Sequence, residues 1–200
     1  MQHKVKVTVI DKKLYTELQS KYCADPNSGV CPCYNIGDEF LFERYDNADD
    51  FWHMGLNTLK QSTNIANTVA GGNTFPHCSE AWDAISRYIY TGLQGGSIMR
   101  GWMNDERIMI ACCSDGTRPV IFKIERIDYK AVYVNGIHCD TCRNNISKAL
   151  KSISEVTDIA FKKDSNNNEY IEVFIDKDIS DSLIENTIKS CGEYPIIHID

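Results

Sequence analysis

The chain begins with an alternation of apolar and polar side chains. The valines of residues 5–9 occupy every second position, which is the period of a strand with one buried face. Leu14, Leu18 and Tyr22 then follow at the spacing of one face of a short helix. The pattern therefore predicts a strand and a helix at the start of the chain.

A second strand is expected after the turn at Gly37, because Phe40 and Phe42 fall on one face of it. The periodicity is then lost over about residues 46–76, which are polar and rich in Gly, Asn and Thr. One short helix is predicted inside this stretch, over residues 51–59. We interpret the stretch as an insertion, because a segment this long without regular structure is uncommon in a compact domain.

An apolar stripe predicts a helix that begins at Ser79, as the N-cap, and ends at Gly92. Residues 107–112 and 119–127 follow as two strands, and the Asp-Gly pair between them is typical of a hairpin turn. With the opening strand and helix, these elements predict an α+β domain over residues 1–128.

From residue 130 the composition shifts towards Lys, Asn, Asp and Ile, and six short elements follow in a regular order. Strands are predicted at 131–134, 156–161, 170–175 and 196–199, and helices at 142–153 and 180–192. The order β-α-β-β-α-β is that of a ferredoxin-like fold. The sequence thus predicts an α+β protein of two domains, with a ferredoxin-like βαββαβ domain over residues 130–200 and a short linker around residues 128–130.

The charge of the chain argues against two classes of partner. Its net charge is −7 and its pI is about 5.2, whereas nucleic acids and anionic membranes are bound by basic surfaces. No apolar run is long enough for a membrane span, and the first residues lack the features of a secretion signal. We therefore expect a cytoplasmic protein with no nucleic-acid partner and no membrane insertion.

Nine cysteines are the most distinctive feature of the composition. In a reducing compartment they are expected to be thiols or metal ligands rather than disulfides. Two of them, Cys139 and Cys142, lie three positions apart in the stretch GIHCDTC, between a strand and a helix. Exposed N–H groups at a helix start favour the thiolate form, and thiolates select soft ions such as Cu(I) and Zn(II). Two ligands are too few for a closed zinc site, which favours Cu(I).

This motif on its predicted fold resembles the heavy-metal-associated domain of copper chaperones and copper-transporting ATPases. The resemblance covers about residues 130–200 and implies that Cys139 and Cys142 bind Cu(I) for exchange with a metal donor or acceptor, such as a copper-transporting ATPase. Ile137 stands where the family usually has a methionine that anchors the loop. Tyr194 matches an aromatic residue near the loop in bacterial members. Cys191, at the end of the second helix, is either a third thiolate ligand or a small core residue.

A redox function is the alternative, because Cys-x-x-Cys at a helix start is also found in thioredoxin-like active sites. Those sites usually follow a tryptophan and belong to a fold with a longer parallel sheet, and neither feature is present here.

The remaining cysteines lie in the N-terminal half. Cys23, Cys31 and Cys33 fall on a loop rich in turn-forming residues, and Cys78 precedes a predicted helix. Cys112 and Cys113 are neighbours in a strand and should face opposite sides, and Cys113 is the one we expect to be functional.

This half, over residues 3–127, resembles a family of short, cysteine-containing conserved hypothetical proteins of prokaryotes, which has no assigned activity. Cys23, Cys31, Cys78 and Cys113 match cysteine positions of that family, and Cys33 matches less well. Three hypotheses follow for this half: a second metal site holding zinc or an iron–sulfur cluster, a cysteine-dependent enzyme, or an interaction module with structural cysteines. None of the common catalytic motifs occurs in the chain, which leaves the enzyme hypothesis open without favouring it.

Overall fold

The structure is a computed structural model that describes residues 1–44, 59–64, 78–137, 139–164 and 166–200. Its helices and strands follow in this order: β1 (Gln2–Lys12), α1 (Thr16–Tyr22), β2 (Glu39–Arg44), β3 (Leu59–Asn64), α2 (Ser79–Leu93), β4 (Ile108–Cys112), β5 (Val120–Val134), α3 (Asp140–Leu150), β6 (Val156–Lys163), β7 (Glu169–Ile175), α4 (Asp181–Lys189) and β8 (Ile196–Ile199). The fold is mixed α and β with antiparallel strand pairing.

The chain divides into two compact units. One comprises residues 3–126, and the other comprises residues 127–200 together with the first two residues. Strand β5 contributes its first half to the N-terminal unit and its second half to the C-terminal unit. Across the described part of the chain, no helix has both the length and the apolar character needed to cross a membrane.

The N-terminal unit is a sheet in which β3, β2, β1 and β5 lie side by side in that order, and β4 pairs with β5. Val5 and Val7 of β1 lie opposite Phe42 and Phe40 of β2, so the alternating apolar positions share one face. Helix α2 packs on this face through Ala81, Ile85, Ile89 and Leu93.

Three details of this unit differ from the sequence prediction. Strand β3 lies within the predicted insertion and pairs with β2 along its whole length, whereas the predicted helix over residues 51–59 falls outside the described residues except for Leu59, which begins β3. In α1, Leu18 and Tyr22 are exposed, and Gln19 is the buried residue because its amide donates to the carbonyl of Gly29 at 2.9 Å. The N-cap of α2 is Cys78, one residue before the predicted Ser79.

The C-terminal unit has the strand order β8-β5-β7-β6, with every pair antiparallel. Helix α3 connects β5 to β6, and α4 connects β7 to β8, which is the arrangement of a ferredoxin-like fold. The predicted order of the elements is therefore confirmed. The core lies between the sheet and the two helices and includes Val132, Ile146, Leu150, Ile171, Val173, Ile184 and Ile188.

Two boundaries of the C-terminal unit differ from the prediction. Residues 128–130, interpreted as a linker, belong to β5, where they pair with residues 173–175 of β7. Lys130 is buried there and donates to Asp181 and to the carbonyl of Ile179, both at 2.6 Å. Helix α3 begins at Asp140 rather than at residue 142, so both cysteines of the motif lie at its N-terminus.

Candidate metal centre

The loop between β5 and α3 brings the two cysteines of the motif together. Gly136 has a φ of +90°, in the left-handed region that side chains with a Cβ rarely adopt, and it turns the chain out of the strand. Ile137 is 6% exposed and packs in the core of the C-terminal unit, which fixes the loop from below. His138 lies outside the described residues. The loop thus combines a turn that requires glycine with a buried apolar anchor.

Cys139 is the N-cap of α3, and its sulfur accepts a hydrogen bond from the backbone N–H of Cys142 at 3.3 Å. This is the position at which a helix binds a negative charge, because its first N–H groups have no partner within the helix and its dipole is positive there. The start of the helix therefore directs a backbone N–H group at the sulfur of Cys139.

The sulfur atoms of Cys139 and Cys142 are 2.7 Å apart. Cys139 is exposed, and Cys142 is half-buried against the core of the C-terminal unit. Metal–sulfur bonds of about 2.3 Å place two sulfurs at most about 4.6 Å apart across one ion, so the pair must open by one to two ångströms to bind it. The exposed side chain of Cys139 has the rotational freedom to do so.

A second loop, after α4, lies beside the first. The N–H of Asn135 donates to the carbonyl of Pro195 at 2.9 Å, and a Cβ on Gly136 would come within 3.5 Å of the carbonyl oxygen of Glu193. This contact places the loop after α4 next to the motif.

Tyr194 reaches the cysteines of the motif from this second loop. A hydrogen bond to Cys142 is the main reason why the pKa of Tyr194 is raised to about 12, with burial and the nearby sulfurs of Cys139 and Cys191 adding to it. The phenol is therefore protonated at neutral pH and donates to the sulfur of Cys142. The sequence matched Tyr194 only to an aromatic residue near the loop, and the contact with Cys142 was not predicted.

Cys191 is held by the helices. Its thiol donates to the carbonyl of Thr187 at 3.4 Å and lies 3.8 Å from the carbonyl oxygen of Asn145. It packs against the core of the C-terminal unit and is half-buried. Its electrostatic interaction with Tyr194 places it in the neighbourhood of the pair.

The N-terminal cysteines predicted as ligands are in different surroundings. Cys113 is 7% exposed, and its sulfur accepts from the N–H of Val120 at 3.3 Å, whereas Cys112 is exposed. Cys31, Cys33 and Cys78 pack against the same hydrophobic core as Cys113. We expected Cys112 and Cys113 to face opposite sides of the strand. This is confirmed, because one of them is buried and the other is not.

Cys23, which the sequence grouped with these thiols, lies at the C-terminal end of α1 and, among the described residues, is not part of that core. Cys33 packs against that core instead. The Cys-Pro-Cys spacing of residues 31–33 is the signal that could have identified it. All nine cysteines lie in described residues, and all are thiols rather than disulfides. In the part of the chain that the structure describes, no three His, Cys, Asp or Glu side chains are placed so as to hold one metal ion.

Comparison with known proteins gives partial matches. No family model matches the chain. The chain is 32% identical over 71 residues to the superoxide dismutase 1 copper chaperone of Kluyveromyces lactis, a match that covers 35% of this chain and 26% of that protein. The chain thus spans about a quarter of the length of this curated relative. The solution structure of the yeast copper transporter domain CCC2A in the apo and Cu(I)-loaded states aligns with 36% of this chain and 97% of that domain, at 23% identity and a TM-score of 0.28.

Proposed function

We propose that this protein binds Cu(I) between the sulfurs of Cys139 and Cys142 and passes the ion to the thiols of another protein. The observation that carries the proposal is the pair itself: two thiols in contact at the N-terminus of α3, one of them exposed. The 71-residue similarity to a protein named as a copper chaperone supports it, since that length is close to the length of the C-terminal unit.

The number and type of ligands favour Cu(I). Thiolates are soft ligands and select soft ions over Mg²⁺ or Ca²⁺. A structural zinc site normally has four ligands, and the pair supplies two. Cu(I) tolerates low coordination, so two thiolates are enough to hold it. Cys191 is a proposed third ligand. Its half-buried thiol lies near the pair and can bind the same ion as a third thiolate.

Exposure favours exchange over permanent binding. The sulfur of Cys139 is open to solvent, so a thiolate from a second protein can bind the ion before the bond to Cys139 breaks. The partner is accordingly a metal donor or acceptor with paired thiols, such as a copper-transporting ATPase, and the exchange takes place in the cytoplasm. We assign this function to a heavy-metal-associated domain over residues 130–200, and we treat residues 1–128 as a separate α+β domain.

The test is Cu(I) competition with the chelator bathocuproine, under reducing conditions and without oxygen. Because Cys139→Ser/Cys142→Ser removes both proposed ligands, it should weaken Cu(I) binding at least about a thousandfold. Cys112→Ser, which removes an exposed thiol from the N-terminal unit, is the matched control and should bind as the wild type does. Unchanged affinity in the double variant would refute the site.

A redox function at the same pair is the second candidate, because two sulfurs 2.7 Å apart also need little movement to form a disulfide. The two candidates differ in what the reduced protein retains. Reduced protein that binds no Cu(I) in the competition, yet exchanges a Cys139–Cys142 disulfide with a thiol partner, would favour the redox function.

A further inference from the structure

Four cysteines of the N-terminal unit pack in or against its core, although they come from three separate parts of the chain. Two lie on the loop between α1 and β2, one is the N-cap of α2, and one lies between β4 and β5. We refer to them as the thiol cluster, which consists of Cys31, Cys33, Cys78 and Cys113. The buried phenol of Tyr34 is within electrostatic reach of all four sulfurs.

Within the cluster, Cys31 and Cys33 form a pair. Their side chains are joined by a hydrogen bond, and a bend at residues 32–33 returns the chain so that both side chains point to the same core. Tyr34, which follows directly, is 1% exposed and is fixed by edge-to-face contact with Phe122 at 5.4 Å between ring centroids. The pair is thus held by a local bend and an aromatic anchor, and it remains partly open to solvent.

Two members of the cluster have a raised pKa. Burial is the main cause that raises the pKa of Cys33, and the neighbouring sulfurs of Cys31 and Cys78 add to it. Burial likewise raises the pKa of Cys113. A metal site would require several thiolates at once, and within the described ranges no three such side chains are arranged around a common point. Two thiols in contact can instead react as a pair.

We propose that Cys31 and Cys33 are a redox-active dithiol that a low-molecular-weight disulfide, such as oxidised glutathione, converts to a Cys31–Cys33 disulfide. The thiolate of Cys31 attacks one sulfur of the oxidant and releases one glutathione thiolate, which takes up the proton that Cys31 lost. Cys33 then gives up its proton and attacks the mixed disulfide at Cys31, which releases the second glutathione. Two protein thiols are oxidised, and one disulfide is reduced to two thiols.

The order of attack follows from the surroundings of Cys33. Burial and the neighbouring sulfurs of Cys31 and Cys78 raise the pKa of Cys33, which makes it the slower nucleophile. Once Cys31 carries glutathione, Cys33 is the thiol in hydrogen-bond contact with it. Resolution within the chain is then favoured over a second encounter with glutathione, because the effective concentration of a thiol in contact is high.

The experiment is disulfide mapping of the full-length protein in buffers of increasing oxidised-to-reduced glutathione ratio, under nitrogen and after removal of metal. Reduced thiols are trapped by alkylation, and peptides are identified by mass spectrometry. The expected result is a peptide with Cys31 and Cys33 joined, two hydrogen masses lighter, that forms at a ratio at least about tenfold lower than any adduct at Cys23 or Cys112. The mapping separates this bond from one between Cys139 and Cys142.

Two variants test the mechanism. In Cys33→Ser, Cys31 should accumulate as a stable mixed disulfide with glutathione, whereas in Cys31→Ser, Cys33 should remain reduced. Cys23→Ser, on the same loop but outside the cluster, should behave as the wild type. The proposal is overturned if Cys31 and Cys33 of the wild type stay reduced throughout, if the bond forms between other members of the cluster, or if protein purified without oxygen holds a metal ion that Cys31→Ser releases.

Discussion

The two thiol sites of this protein are built in opposite ways. Cys139 and Cys142 lie at the start of a helix, where the backbone N–H of Cys142 donates to the sulfur of Cys139, and Cys139 is exposed. The thiol cluster packs in and against a hydrophobic core, where burial raises the pKa of Cys33 and of Cys113. The first site thus has a sulfur open to solvent at a helix N-terminus, and the second has thiols surrounded by apolar side chains.

Cysteine content alone therefore does not identify a metal site. A soft ion needs deprotonated ligands, and the proposed site at α3 places two sulfurs at a helix N-terminus with one of them exposed. The cluster holds its thiols against apolar side chains, which suits the proposed disulfide exchange better than binding of an ion.

The largest expected effect is a difference in alkylation rate between Cys113, a member of the thiol cluster, and its neighbour Cys112. Cys112 is exposed, whereas Cys113 is buried and accepts a hydrogen bond from Val120. Alkylation of Cys113 requires local opening, and an opening free energy of about 4 kcal/mol slows it about a thousandfold relative to Cys112. Time-resolved alkylation with iodoacetamide and mass spectrometry measures both rates. In urea the rates should converge; equal rates in the native protein would show that Cys113 is not protected.

The second effect concerns the anchor of the exposed site. Ile137 is buried beneath the metal-binding loop, so Ile137→Ala leaves a cavity and should lower the free energy of unfolding of the C-terminal unit by about 2–5 kcal/mol. Ile137→Met keeps the volume and should cost less than about 1.5 kcal/mol. Urea unfolding followed by circular dichroism measures both. An alanine variant as stable as the methionine variant would mean that the loop does not depend on this residue.

The sequence predicted the contact of Cys139 with Cys142 more completely than it predicted the thiol cluster. The first depends on residues close together in the chain, and the second on residues far apart. Cys139 and Cys142 are brought together by one turn of helix, so their spacing and the preceding glycine were sufficient. The cluster depends on tertiary packing of three segments, which no local pattern predicts. The sequence analysis therefore grouped Cys23 with the other thiols, whereas in the structure Cys33 packs with them.

The fold shows the same division between local and distant interactions. The ferredoxin-like order followed from apolar periodicity and from caps such as Ser180, whose hydroxyl accepts from the N–H of Leu183 as expected. Strand β3 was missed because its residues, LKQSTN, carry no alternation of apolar and polar side chains. These residues form a strand because they pair with β2, and no local sequence pattern predicts that pairing.

A smaller effect is expected from Tyr194→Phe. This variant keeps the ring that lies against Gly136 and Gly192 but removes the hydroxyl that donates to Cys142. Losing a hydrogen bond to a ligand typically weakens metal binding about tenfold, and we expect an effect of that size or less on Cu(I) affinity. Chelator competition measures it, and Tyr133→Phe, on a strand of the same unit, is the control. A loss as large as that of the cysteine variants would make Tyr194 part of the coordination itself.

The smallest effect tests the turn that positions Cys113. Burial alone would raise the pKa of Asp115, but hydrogen bonds from Thr117 and Arg118 hold it below its ordinary value of 3.8. A carboxylate with a lowered pKa in the folded state adds stability above its unfolded pKa and loses it as the pH falls through its folded pKa. Asp115→Asn, which keeps an acceptor but removes the charge, should therefore cost about 1 kcal/mol at neutral pH.

That cost should shrink below about pH 4 and vanish once the wild-type carboxyl is protonated in both states. Urea unfolding at a series of pH values measures it, and Asp83→Asn, on the exposed side of α2, should change stability by less than about 0.5 kcal/mol at every pH. A pH-independent cost would assign the stabilisation to the shape of the turn rather than to the charge of Asp115. In that case the position of Cys113 would be set by packing and backbone hydrogen bonds, as at Val120, and the contrast between the two thiol sites would not extend to this turn.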